Sequence, residues 1–182
     1  MEIRLARDIQ TDSIVDGEGI RTVIWTQGCI HNCKGCHNPD THSFDSGKLI
    51  DVNDIKNILL TLEGQSGITF SGGDPMCQAK ACAEIAKYAK KIGLNVWCYT
   101  GYTYERLMEM SKEDKIYKTF LKYIDVLVDG PFILSQKSFD VKFRGSKNQR
   151  IIDVVKSLEE DKIILKEEYD NKKTITKRKV YI

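Results

Sequence analysis

Three cysteines stand within eight residues, Cys29, Cys33 and Cys36 in C-I-H-N-C-K-G-C. Thiolates are soft metal ligands. Three so close together reach one small inorganic centre only if the loop wraps around it, and Gly28 and Gly35 supply the backbone freedom for that wrap. Three chemistries fit. A zinc site takes four ligands, and His31 or His37 would complete Cys3His, yet such sites usually draw on two separated pairs and no second C-x-x-C or H-x-x-x-H follows. A ferredoxin-type cluster needs a fourth cysteine, for which Cys77, Cys82 and Cys98 are candidates without partner motifs. The third chemistry uses the deficit: three cysteines hold three irons of a [4Fe–4S] cluster and leave the fourth iron open to a ligand.

A second group follows at Gly72-Gly73-Asp74-Pro75. Paired glycines let backbone approach a ligand closely, and the carboxylate can accept hydrogen bonds from an ammonium group. By itself G-D-P is also ordinary turn chemistry.

Both groups need strands to place them. Ile20 to Thr26, Gly67 to Ser71, Leu94 to Tyr99, Ile124 to Val128 and Arg150 to Val155 read as strands, most of them apolar and bounded by glycine. Between them, Ile55, Ile58, Leu59 and Leu62 form one helical stripe, and residues 76–92 form a longer helix that Gly93 closes. Thr103 and Ser111 are expected N-caps of two further helical pieces, Ser111 with Asp114 at capping-box spacing. Strand and helix in alternation predict an α/β fold with a mainly parallel sheet, whose ligands sit at the C-terminal strand ends. The unusual residues cluster there, at 28–37, 71–75, 99–101 and 129–131.

The chain has 182 residues, the length of one domain, with 41% hydrophobic and 30% charged residues, enough for a core and against general disorder. A net charge of +2 argues against a large basic surface for nucleic acid or acidic membranes. No apolar run of about 18 residues exists and the N-terminus lacks a signal peptide's apolar stretch, so a soluble, cytoplasmic protein without membrane contact is expected. In that reducing setting the six cysteines point to metal binding or catalysis rather than structural disulfides. Residues 1–158 carry the expected domain. Glu159 to Asp170 then holds six acids and Lys172 to Lys179 five bases, which reads as a solvated, partly mobile tail, with a partner-docking arm as the sharper reading.

The C-x-x-x-C-x-x-C spacing followed by Gly-Gly-Asp resembles the radical S-adenosylmethionine (SAM) superfamily, in which SAM chelates the open iron. Further segments narrow the resemblance: D-G-E-G-I-R (16–21), W-T-Q-G-C (25–29), G-C-H-N-P (35–39), F-S-G-G-D-P (70–75), D-V-L-V-D-G-P-F (125–132) and R-G-S-K-N-Q-R-I-I-D (144–153). In this order they are similar to the activating proteins of anaerobic ribonucleoside-triphosphate reductase, from about residue 7 to 155. The resemblance implies a partial, incomplete β/α barrel of about five to six mainly parallel strands. It implies a [4Fe–4S] cluster on Cys29, Cys33 and Cys36, and SAM cleavage to a 5′-deoxyadenosyl radical that generates a glycyl radical on the reductase. The partners implied are the large subunit of the reductase, through its glycine-bearing C-terminal loop, and reduced flavodoxin or ferredoxin as electron donor. Alternatives are a compact radical SAM enzyme with a small-molecule substrate, and a non-enzymatic zinc or iron–sulfur module.

On this resemblance Gly72, Gly73 and Asp74 contact the SAM amino group, Thr100 and Asp129 make polar contacts to SAM or a bound cation, and no catalytic side chain is expected beyond the cluster and SAM site. Asn148, Gln149 and Arg150 face SAM or the reductase, or make ordinary loop hydrogen bonds. Gly35 stands where the wider superfamily often has an aromatic residue near adenine, which leaves Trp25, His37 and Tyr99 as candidates, although Trp25 and Tyr99 fit core positions. His31 and His37 are expected to support the cluster loop by hydrogen bonding rather than ligation. Cys77, Cys82 and Cys98 are expected to pack.

Overall fold

A computed structural model describes residues 1–169. The β-branched and aromatic runs become the centre of one sheet. Four strands run parallel in the order β3 (Arg21–Thr26), β5 (Gly67–Gly72), β6 (Asn95–Tyr99) and β7 (Val126–Asp129). Antiparallel strands extend both sides. β8 (Arg150–Asp153) pairs with β7; β1 (Glu2–Leu5) and β2 (Gln10–Ser13) pair with β3, and β4 (Lys48–Asp51) pairs with β1. The sheet therefore has eight strands among the described residues, where five or six were expected. The path β4-β1-β3-β5-β6-β7-β8 does not close on itself.

Strand alternation gives the sheet two different faces. Ile24, Ile68, Phe70, Val96, Cys98, Leu127 and Ile152 point to the helix layer and are fully buried. That layer is α1 (Val52–Leu60), α2 (Ala79–Lys91), α3 (Tyr104–Glu113) and α4 (Ile116–Leu121), with Ile55, Leu59, Ile85, Leu107 and Phe120 facing inward. Phe70 meets Phe120 edge to face, centroids 5.5 Å apart. Each such side chain contributes about 1.5–3 kcal/mol on burial. The opposite face carries Trp97, Val126, Val128 and Ile151, covered by Phe143 and Tyr169. Arg21 is buried on this face as well. Its Nε donates to Thr69 Oγ1 at 2.7 Å, its ring-facing guanidinium lies 5.4 Å from the Trp97 ring, and burial lowers its pKa to about 10.

Capping sets the helix starts. The Asp51 carboxylate accepts from Asn53 N and Thr103 Oγ1 from Arg106 N. Gly93, at φ +84°, ends α2. Ser111 is not an N-cap: it lies inside α3 and donates its hydroxyl to Leu107 O, while Asp114 follows the helix and accepts from Ile116 N. The last strand is shorter than expected. Asp153 accepts from Lys156 N, so Val154 and Val155 begin α5 (Val154–Glu159) instead.

The acidic stretch after residue 159 is not wholly solvated. Asp153 N donates to Ile164 O and Lys166 N to Ile151 O, both at 2.9 Å, so the chain covers the free edge of β8. Tyr169 is then buried against Trp97 and Phe143, and its hydroxyl donates to Glu18. The basic stretch Lys172 to Lys179 lies outside the described residues.

Candidate metal and cofactor site

The C-terminal ends of β3, β5, β6 and β7 surround a cavity of about 440 Å³. Cys29, Cys33 and Cys36 all line it, together with Gly72, Gly73, Asp74, Thr100 and Gly101. Each cysteine is partly exposed and free of any disulfide. The cysteine loop leaves β3 under tight backbone control: Gly28 N donates to Thr41 O at 2.8 Å and Cys29 N to His42 O at 3.1 Å. Left-handed backbone at Asn32 (φ +44°) and Gly35 (φ +75°) turns the loop back over the cavity.

The Gly-Gly-Asp segment is locked to the same loop. Gly73 N donates to Thr26 O at 2.7 Å and Asp74 N to Gly28 O at 2.8 Å. A Cβ on Gly73 would lie 2.4 Å from Gly28 O, so only glycine permits this approach. Asp74 is fully buried, and its oxygens face several protein donors. Oδ1 accepts from Met76 N and Oδ2 from Gly101 N, both at 2.9 Å; Thr100 Oγ1 is 3.0 Å from each oxygen, and His31 Nε2 is 2.7 Å from Oδ2.

Asp129 is placed differently. It is 1% exposed but does not line the cavity. Alternation puts it on the helix side with Leu127, where it accepts from Tyr104 N at 2.8 Å and forms a two-point ion pair with Arg150. Arg150 also bridges to Glu105 at 2.9 and 2.7 Å, and that hydrogen bonding holds the Glu105 carboxyl down at about 2. Gln149 lines the cavity, yet its amide joins loops: Oε1 accepts from Gly145 N and Ser146 N, and Nε2 donates to Gly130 O. Asn148 Nδ2 donates to Pro131 O. The R-G-S-K-N-Q-R stretch thus braces the wall of the cavity.

Trp25, His37 and Tyr99 all line the cavity; the Trp25 indole also donates to Gln10, and the His37 ring lies 4.8 Å from Phe132. Sequence reasoning did not single out Val15, Asp16, Ser71, Phe132, Phe143 and Arg144 as lining residues. Most fall inside quoted motifs, which is the signal that was available. Cys82 and Cys98 are fully buried on the helix side, where desolvation raises both thiols. Cys77 is partly exposed, outside the cavity lining, and burial pushes its thiol up to about 12.

The donor set suits an iron–sulfur cluster. Burial disfavours the Cys29 thiolate, a cost that a cationic metal centre offsets. Among the described residues no three Cys, His, Asp or Glu side chains converge as the ligands of one metal ion do. Thiolates on different corners of a cluster stand farther apart than that, and these three share one cavity. Nor does any helix among the described residues have the length and apolarity to cross a membrane.

The chain is similar to known proteins. Residues 15–152 match the family described as a 4Fe-4S single cluster domain. The chain is 35% identical over 149 residues to the anaerobic ribonucleoside-triphosphate reductase-activating protein of Haemophilus influenzae, covering 76% of this chain and 90% of that one. It is 35% identical over 147 residues to the protein of the same name in Vibrio cholerae, again 76% and 90%. A pyruvate formate-lyase-activating enzyme of Clostridium pasteurianum is 34% identical over 123 residues, 64% of this chain and 52% of that enzyme. With its three cysteines and its Gly-Gly-Asp segment set at adjoining strand ends around one cavity, the chain belongs to the family of anaerobic ribonucleoside-triphosphate reductase-activating proteins, activating enzymes of glycyl-radical enzymes.

Proposed function

We propose that this protein is a radical SAM activase that installs a glycyl radical on the large subunit of an anaerobic ribonucleoside-triphosphate reductase. The observation that carries the reading is the single cavity shared by Cys29, Cys33, Cys36 and the Gly72–Asp74 segment. Cys29, Cys33 and Cys36 would hold a [4Fe–4S] cluster. A cluster held there would supply the low-potential electron for reductive cleavage of SAM to methionine and a 5′-deoxyadenosyl radical, the hydrogen-abstracting species that a glycyl radical on the reductase would require.

The chain's own part is binding, orientation and exclusion of water. Gly72 and Gly73 bring backbone to the cavity with no side chain in the way, which suits the amino acid end of SAM. Trp25, Tyr99 and Phe132 offer apolar surface for its adenine, and Thr100 stands at the same wall. We read the open sheet as an incomplete β/α barrel whose free side admits the glycine-bearing loop of the reductase. Reduced flavodoxin or ferredoxin would deliver the electron.

The test is anaerobic. The protein is reconstituted with iron and sulfide, reduced, and given SAM. The reading requires 5′-deoxyadenosine and a cluster EPR signal that SAM perturbs, then a glycyl-radical doublet once the reductase is added. No SAM cleavage with a competent reductant refutes it, and cleavage without the doublet moves the substrate to a small molecule.

A further inference from the structure

Gly101 has no room for a side chain: a Cβ there would lie 2.4 Å from Cδ2 of His31. The ring filling that space comes from the middle of the cysteine loop, between Cys29 and Cys33. On one side its Nε2 is 2.7 Å from Asp74 Oδ2, and on another it meets the Tyr102 ring edge to face, centroids 4.6 Å apart at 77°. A carboxylate oxygen only accepts, so Nε2 carries the proton of that bond.

The Asp74 carboxylate cannot follow His31 if the loop moves. Met76 N, Gly101 N and Thr100 Oγ1 fix it from below, and its side chain is 1% exposed. Thr100 in turn accepts from Tyr102 N at 3.2 Å, which ties the far wall to the same carboxylate. Asp74 from the end of β5 and Thr100-Gly101-Tyr102 from the end of β6 therefore make a rigid cup around one imidazole.

We infer that this cup is a socket for His31, and that His31 is the positioning residue that sets the cysteine loop against the ends of β5 and β6. Asp74 acts through His31 and not by meeting a ligand's ammonium group, so the backbone of Gly72 and Gly73 is the part of that segment left to face SAM. The socket gives the glycine of Thr-Gly-Tyr a steric reason and joins the two chemical motifs by a charge-assisted hydrogen bond across 43 residues. The inference rests on the reading that Cys29, Cys33 and Cys36 hold the cluster.

Hydrogen exchange on the iron-free protein reads loop order without any cofactor. His31→Ala should speed exchange of the amides in residues 29–36 about tenfold or more, the scale expected for losing a charge-assisted bond, with the far-UV spectrum unchanged. His31→Gln, whose amide can still donate to Asp74, should recover most of the protection. Adding Asp74→Asn to His31→Ala should accelerate the loop little further, because the two residues act as a unit. After reconstitution, His31→Ala should retain less iron than wild type and shift the EPR signal of the reduced cluster, and His31→Gln should restore both. Unchanged loop exchange in His31→Ala overturns the inference, as does a loosened loop with a wild-type EPR signal and iron content. Wild-type iron content in Cys33→Ala would instead overturn the cluster assignment, a failure these exchange rates do not touch.

Discussion

Arg150→Met tests the ion-pair clamp between β8, β7 and α3. In the native protein the guanidinium donates through Nε to Asp129 Oδ1 at 2.9 Å and through a second nitrogen to Oδ2, while Glu105 holds its outer side. The two carboxylates are unequal: the Asp129 side chain is 1% exposed and that of Glu105 59%. Removing Arg150 leaves Asp129 with one described donor, Tyr104 N, in a site from which water is excluded. Orphaning a buried carboxylate costs about 3–5 kcal/mol. Arg150 is itself 30% exposed, so screening places the loss near the lower end, about 3 kcal/mol. In a chain of this size each kcal/mol moves Tm by about 2–4 °C, so the expected fall is roughly 6–12 °C. Glu105→Gln breaks only the exposed half and should cost about 0–1 kcal/mol. The assay is urea and thermal unfolding of the iron-free protein followed by circular dichroism. The double variant Asp129→Leu/Arg150→Met removes the orphaned charge and should recover at least half of the loss. If Arg150→Met unfolds within about 1 kcal/mol of wild type, or Glu105→Gln costs as much, the buried clamp is not what holds β8.

The same triad sets a pH dependence. Arg150 lowers the Glu105 carboxyl from an ordinary 4.5 to about 2, so its contribution is complete above pH 4.5 and fades as pH falls toward 2; stability curves of wild type and Glu105→Gln should converge over that window. Parallel curves down to pH 2 would refute the assignment. Among the cysteines, Cys33→Ala should abolish iron binding, whereas Cys82→Ala, fully buried among helix-side residues, should keep it and lose about 1 kcal/mol of stability; iron analysis of both proteins decides. Tyr169→Ala should cost about 3 kcal/mol in urea unfolding, because it uncovers Trp97 and Phe143 and frees Glu18. A loss below about 1 kcal/mol would mean that the segment after residue 159 is not part of the fold.

The strands that sequence reading found and those it missed differ in a physical way. β3, β5, β6 and β7 are central, covered on both faces, and taken together are mostly apolar or β-branched. β2 reads Q-T-D-S with three exposed residues, and β4 reads K-L-I-D without one fully buried position. Both are held by backbone pairing, β2 to the next strand and β4 to β1 at the start of the chain, for which their own side chains carry no signal. β1, E-I-R-L, buries Ile3 and Leu5 in true alternation, but four residues are too few to distinguish it from a loop. Tyr169 was hidden for a different reason. The acids around it dominate the local composition, and its buried position depends on Trp97 and Phe143, which pack from elsewhere in the chain.

At the site, the cysteines were legible because a rare residue type at close, fixed spacing has few other uses, and the Gly-Gly-Asp segment because it follows them at the next strand end. Asp74 and Asp129 were harder, since both follow strands and both carry a carboxylate to the same end of the sheet. Alternation separates them. Asp129 still belongs to β7, two residues after the helix-facing Leu127, and so must face the helices. Asp74 has left β5, and its direction is set by capping the turn Pro75–Gln78 through Met76 N, which turns its other oxygen toward His31. The phase of an acid within its strand was readable from Leu127 alone. The aim of one beyond the strand depended on partners at positions 31, 100 and 101, which nothing short of the folded chain brings together.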